Sequence, residues 1–184
     1  MIGTPTLATA RLRLEPLGPA HADEAYPAFA DEGLYALMVG EAPPDVATLR
    51  ARFERLAAGC PRPGERWLNW LARRVGDGAL VGWHQATVVG AKADIAWVTF
   101  AGHRRVGYAR EGAAAVLRRL GEEGVSEVVA QADVRNAGSN ATAKALGFVP
   151  DADTLAETLH GVATVDRVWR RSLRAPLPRS GTSA

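Results

Sequence analysis

Three arginines crowd a short glycine-bearing segment, Trp97-Val-Thr-Phe-Ala-Gly-His-Arg-Arg-Val-Gly-Tyr-Ala-Arg110. The segment reads as a strand that runs through a polar turn into a helix. The first N–H groups of a helix have no intrahelical partner and sit at the positive end of its dipole, which makes such a junction an anion site. Gly107 has no Cβ to hold a phosphate off the backbone, and Arg104, Arg105 and Arg110 add positive charge. A pyrophosphate is the natural ligand, although many turns of this form only connect two elements. No Gly-Lys-Ser/Thr follows and the three glycines of a dinucleotide fingerprint are missing, so two standard nucleotide loops are excluded.

Other reactive side chains are scattered. Asp94 opens the strand that leads to this loop. His84 is a second candidate base, since an unperturbed histidine titrates near neutrality, though a strand histidine more often faces the core or the solvent. Tyr108 lies inside the loop, where its backbone matters more than its phenol; His103 precedes it and either touches phosphate or faces solvent. Trp67, Trp70, Trp83 and Trp97 stand at strand spacing, so they line an acceptor pocket or, as aromatics in strands more often do, fill the core. Cys60 follows a helix stop and has no histidine partner in the sequence nearby, which argues against covalent thiol chemistry.

The elements around these residues are readable. Arg11–Leu17 alternates as a first strand, and Pro19 opens a helical stretch over Ala20–Tyr26 that Pro27 should kink or end. Asp45 is an N-cap for a helix carrying Val46, Leu49, Phe53 and Leu56, stopped by Gly59. Trp67–Val75, Ala79–Val89 and Asp94–Phe100 are strands joined by short glycine turns, an antiparallel meander. After the loop come a helix ended by Gly121, a strand over Ser126–Asp133 and a helix over Asn136–Leu146 closed by Gly147. Strand candidates over Phe148–Thr158 and Ala163–Leu173 complete a mixed α/β layer fold, antiparallel in its first half. A single domain is expected over 1–175, with a flexible tail over 176–184.

The totals agree. At 184 residues with 47% hydrophobic and 23% charged side chains, the chain is of ordinary globular composition. A net charge of +2 without long charge blocks does not suggest a nucleic-acid surface. One cysteine gives no internal disulfide and no metal cluster, and no signal peptide or membrane-spanning run is seen, so a cytoplasmic address without membrane or metal is expected.

The loop resembles the acetyl-CoA-binding motif of the GNAT superfamily of N-acetyltransferases, Gln/Arg-x-x-Gly-x-Gly/Ala, with Arg104, Gly107 and Ala109 at its fixed positions. Asn136-Ala-Gly-Ser139 and Leu146-Gly147-Phe148 resemble the family's Asn-x-x-Ser and Leu-Gly-Phe signatures, and Val168–Leu173 its last strand. The resemblance runs from about Leu12 to Leu173 and implies a mostly antiparallel central sheet flanked by helices, with two splayed strands holding acetyl-CoA. The backbone N–H groups of Arg105, Val106, Gly107, Tyr108 and Ala109 would then cradle the pyrophosphate. The backbone of Val98, Thr99 and Phe100 would pair with the pantetheine arm, beside a gap facing Val128–Asp133. Asn136 would hydrogen-bond the cosubstrate, and Ser139 would stand near the thioester sulfur.

Direct attack by a primary amine in a ternary complex is the mechanism so implied. Asp94, where some members place a glutamate, would be the base, unless it is a strand-end aspartate and water relays the proton. The tyrosine acid of many members is replaced here by Ala143; Ser139 instead matches the serine of Rim-type ribosomal-protein acetyltransferases, as acid or as a helix cap. The acceptor is a small amine or a protein N-terminus, and homodimerisation is a tendency of the family. The competing expectations are a non-catalytic acyl-CoA sensor and another nucleotide-binding α/β domain.

Overall fold

The computed structural model describes residues 4–155 and 161–173. Strands are β1 (Leu7–Ala8), β2 (Leu12–Pro16), β3 (Glu65–Arg74), β4 (Leu80–Val89), β5 (Lys92–Thr99), β6 (Glu127–Asp133), β7 (Val149–Leu155) and β8 (Val165–Ser172). Helices are α1 (Ala22–Phe29), α2 (Val46–Ala58), α3 (Tyr108–Glu122) and α4 (Ala137–Ala145). The strands form an eight-stranded sheet in the order β1-β2-β3-β4-β5-β6-β8-β7. Every pairing is antiparallel except β5 with β6.

Alternation along the strands gives the sheet two apolar faces. One carries Leu12, Leu14, Leu68, Trp70, Ala86, Val88, Ala93 and Ile95, and packs on Ala113, Val116, Leu117 and Leu120 of α3 and Ala143 of α4. The other carries Leu71, Trp83 and Phe100 beneath Ala25 and Phe29 of α1 and Leu49 and Phe53 of α2. The Phe29 ring meets Phe53 edge-on at 5.3 Å and Phe100 at 5.5 Å, fixing the helical layer over the ends of β4 and β5. Arg73 of β3 ties the layers further, reaching Glu15 at 3.0 Å and Glu24 of α1 at 2.7 Å.

The meander over β3–β5 and the β5-loop-α3-β6-α4 order follow the sequence pattern. Several boundaries differ; among them β5 opens at Lys92, so Asp94 is its third residue rather than its first. The short β1 and a 3-10 turn at Glu32–Leu34 carry too few residues to show a period. Pro27 neither ends nor breaks α1, which continues to Phe29; burial of Ala25 and Phe29 around it holds the last turn despite the missing N–H. Gly121 does not stop α3, which runs to Glu122, and the left-handed glycine beyond the helix is Gly124 at φ 85°. Gly121 is instead a small residue facing Leu173, whose Cδ1 would lie 3.9 Å from an added Cβ. The tail expected over 176–184 and positions 156–158 of the strand candidate Phe148–Thr158 lie outside the described residues.

Candidate active site

The loop after β5 is built as an array of free amides. A 3-10 turn at Ala101–His103 leads into it, and Arg104 to Gly107 are exposed. Arg105 has φ 64° and Gly107 φ 89°, while Arg104 between the turn and Arg105 has φ −70°. Arg104 is extended at ψ 160° and Val106 is not among the positive-φ residues, so left-handed and other residues alternate along the exposed loop. None of the N–H groups of residues 104–110 has an acceptor among the described residues.

The N-cap of α3 is part of the same device. Asp45 caps α2 by accepting from the Thr48 N–H at 2.7 Å, and Asn136 caps α4 by accepting from the Ser139 N–H at 3.0 Å. Gly107, the N-cap of α3, has no side chain to compete for the first-turn amides. The Arg104 Nε donates to the Thr99 carbonyl at 3.3 Å, drawing the loop back over the end of β5.

A second brace comes from the start of the chain. Arg11 donates from Nε to Glu111 at 2.6 Å and from Nη1 to the Val106 carbonyl at 3.1 Å. Its guanidinium lies 4.9 Å from the centre of the Tyr108 ring. Tyr108 is buried, and its phenol oxygen accepts from Arg74 at 3.4 Å, so the phenol is docked on the sheet. Arg11, Thr9 and Glu111 escape sequence reading, because their contacts join positions about a hundred residues apart.

Beside the loop the sheet opens. β5 and β6 pair only through Lys92–Asp94 with Glu127–Val129, and from Ile95 and Ala130 onward the two strands are no longer bonded to each other. The divergence thus begins at Ala130, two residues past Val128, the near end of the gap that the resemblance implied. A cavity of about 240 Å³ occupies the gap, with Gln85, Thr87, Asp94, Ala96, Val129 and Gln131 in its lining. The registers Gln85↔Ala96, Thr87↔Asp94 and Asp94↔Val129 put these side chains on one face of the sheet, the face that α1 and α2 cover at its other end.

Asp94 therefore stands at the fork. Solvent reaches its carboxylate, yet partial burial among the strands raises its pKa above the usual aspartate range, with Arg170 opposing the shift. On α4, the Ser139 N–H is consumed by the Asn136 cap, whereas its hydroxyl has no partner among the described residues. The serine is capped rather than capping, which removes the alternative reading of its hydroxyl. Asn136 spends its oxygen on the cap; its amide nitrogen has no described partner.

His84 takes the core place that a strand histidine more often has, not that of a base. It is 2% exposed, lies under α3, and burial pushes its pKa down to about 4. A Cβ added at Gly112 would stand 2.2 Å from its Nε2, so helix and ring are in direct contact and His84 cannot reach a substrate in the gap. The tryptophans are structural too. Trp70 is fully buried with its Nε1 donating to the Pro5 carbonyl at 2.7 Å, and Trp83 packs on Phe29 at 5.7 Å. Trp97 packs on Phe148 at 6.3 Å, and Trp67 donates to Glu65 at 2.8 Å; none lines the cavity. His103 is half-buried in the turn before the loop, and Cys60 Sγ accepts from the Arg62 N–H at 3.4 Å.

A family model described as an acetyltransferase (GNAT) domain matches residues 11–149. A GNAT-family acetyltransferase from Bacillus anthracis superposes with a TM-score of 0.80 at 14% identity, over 92% of this chain and 99% of that one. RimL, a ribosomal-protein α-N-acetyltransferase solved with coenzyme A, gives 0.79 at 15% identity, over 91% and 98%. The microcin self-immunity acetyltransferase MccE, solved with acetyl-CoA and AMP, gives 0.78 at 18% identity, over 89% and 93%. At these identities the structures establish the shared fold. A search of curated proteins finds no match.

Proposed function

The chain belongs to the GNAT acetyltransferase family, and from that premise we propose that it transfers an acetyl group from acetyl-CoA to a primary amine by direct attack in a ternary complex. The observation that carries the proposal is the run of acceptor-less amides over 104–110 at the mouth of a gap between two diverging strands. The amides of Arg105, Val106, Gly107, Tyr108 and Ala109 would hold the diphosphate, and the β6-facing edge of β5, Val98 and Thr99 running to Phe100, would hold the pantetheine arm. The cosubstrate supplies an activated thioester carbonyl when bound. No residue need form a covalent intermediate.

Asp94 suits a general base acting at the fork, directly or through water, because a raised pKa lies nearer the working pH than an ordinary aspartate's. Ser139 suits a proton donor to the departing thiolate, since its hydroxyl has no described partner. Asn136 would offer its amide nitrogen to the cosubstrate. The Ser139 match and the likeness to RimL support placement near the Rim-type branch, with a protein N-terminus or small amine as acceptor. We also propose a single acetyltransferase domain over 1–175, acting in the cytoplasm, with homodimerisation to be read from its mass in solution.

The test is a thermal-shift titration with acetyl-CoA, followed by thiol release on panels of small amines and N-terminal peptides. Ligand binding to the folded chain raises its melting temperature. Stabilisation and amine-dependent thiol release are expected. Stabilisation with no turnover on any amine would favour a sensor, and no stabilisation would remove the acetyl-CoA reading.

A further inference from the structure

We propose that Arg11 is a positioning residue for the diphosphate loop: by holding the Val106 carbonyl it fixes the peptide plane that aims the Gly107 N–H at the acyl donor. The inference rests on the acetyl-CoA reading above. Arg11 immediately precedes β2 and is anchored before it touches the loop. Its own backbone N–H donates to Glu111 Oε1 at 2.9 Å and its Nε to Oε2 at 2.6 Å. Thr9 Oγ1 donates to Glu111 Oε1 at 2.6 Å. Glu111 belongs to the first turn of α3, so the N-terminal strand and the helix start move as one piece. The guanidinium lies over the Tyr108 ring, and its Nη1 still reaches the Val106 oxygen at 3.1 Å.

A trans peptide holds its C=O and N–H in one rigid plane, pointing in opposite directions across the C–N bond. Drawing the Val106 oxygen toward Arg11 therefore turns the Gly107 N–H away from Arg11, to a side where no described residue accepts it. Val106 and Gly107 are exposed, and glycine tolerates either sign of φ, so little else fixes this plane. Arg11 has a second effect. Glu111 is an anion at the helix end that must receive another anion. Burial alone would raise its pKa, but hydrogen bonds from Thr9 and Arg11 outweigh burial and keep the carboxylate ionised and paired. The clamp converts a repelling charge into an anchor.

Two variants separate aiming from bracing. Arg11→Ala removes both; Arg11→Lys keeps a cation beside Glu111 but has a single nitrogen and cannot also span to the Val106 carbonyl. In both, KM for acetyl-CoA should rise about ten-fold while kcat stays within about two-fold. With S-acetyl-pantetheine, which lacks the diphosphate, kcat/KM should fall by less than about three-fold. Arg11→Lys should keep the wild-type melting temperature. The proposal is overturned if Arg11→Lys restores KM, if the two donors suffer equally, or if both variants bind coenzyme A as the wild type does. Absence of coenzyme A binding to the wild-type chain would instead bring down the acetyl-CoA reading, and this role with it.

Discussion

At the scale of single residues, two titrating groups separate stability from catalysis. His84 is held neutral by burial, with its pKa lowered from 6.5 to about 4. Between those values the unfolded chain takes up a proton that the folded chain refuses, so stability is intact above pH 6.5 and falls as the pH drops toward 4. The loss through this window should total about 3 kcal/mol, and His84→Gln should flatten it in denaturant titrations run against pH. Asp94 moves the other way. If it serves as the proposed base, its raised pKa should set the acid limb of kcat/KM above the usual aspartate range, because a base must lose its proton to act. Asp94→Asn should erase that limb and lower kcat by about a hundred-fold, without changing coenzyme A affinity. A limb that persists in the variant would assign the proton to water or to another group.

At the scale of elements, the site depends on how closely α3 lies on the sheet. Gly112 permits that contact, since any Cβ there would overlap the His84 ring. Gly112→Ala should cost about 2 kcal/mol and weaken coenzyme A binding together, because the helix must lift and carry its first-turn amides with it. Loss of stability with unchanged affinity would show that the loop is positioned independently of the helix. The same elements show what a sequence reveals. The loop is legible because its signals are local: a glycine, neighbouring arginines and a switch of period within a dozen residues. The Asp45 cap and the β3–β5 meander are legible for the same reason. The parting of β5 from β6 is known only through the resemblance, as both strands have ordinary strand patterns. The Arg11–Glu111–Val106 clamp is invisible, since its partners meet only through tertiary structure. His84 is ambiguous in sequence because a neutral core histidine and a catalytic one differ only in what packs above them.

At the scale of the whole molecule, one sheet carries the argument from end to end. The family match over 11–149 spans β2 to the start of β7, and β8 then closes on β6, holding the far side of the gap. Residues ahead of the match are integrated as well, for Pro5 accepts from buried Trp70 and the Thr9 hydroxyl donates to Glu111 of α3. The fold thus sets the exposed amides of the loop on one side and a carboxylate at the fork on the other. Among the described residues no helix is long and apolar enough to cross a membrane. The central claim is that the free amides around Gly107 bind the diphosphate of coenzyme A. Calorimetry of coenzyme A against the wild-type chain and Gly107→Glu tests it most directly, with Gly107→Ala to account for strain at φ 89°. Saturable uptake by the wild type, weakened in the alanine variant and abolished in the glutamate variant while both variants stay folded, is the predicted result. Equal affinity in wild type and Gly107→Glu, or no uptake by the wild type, would contradict it.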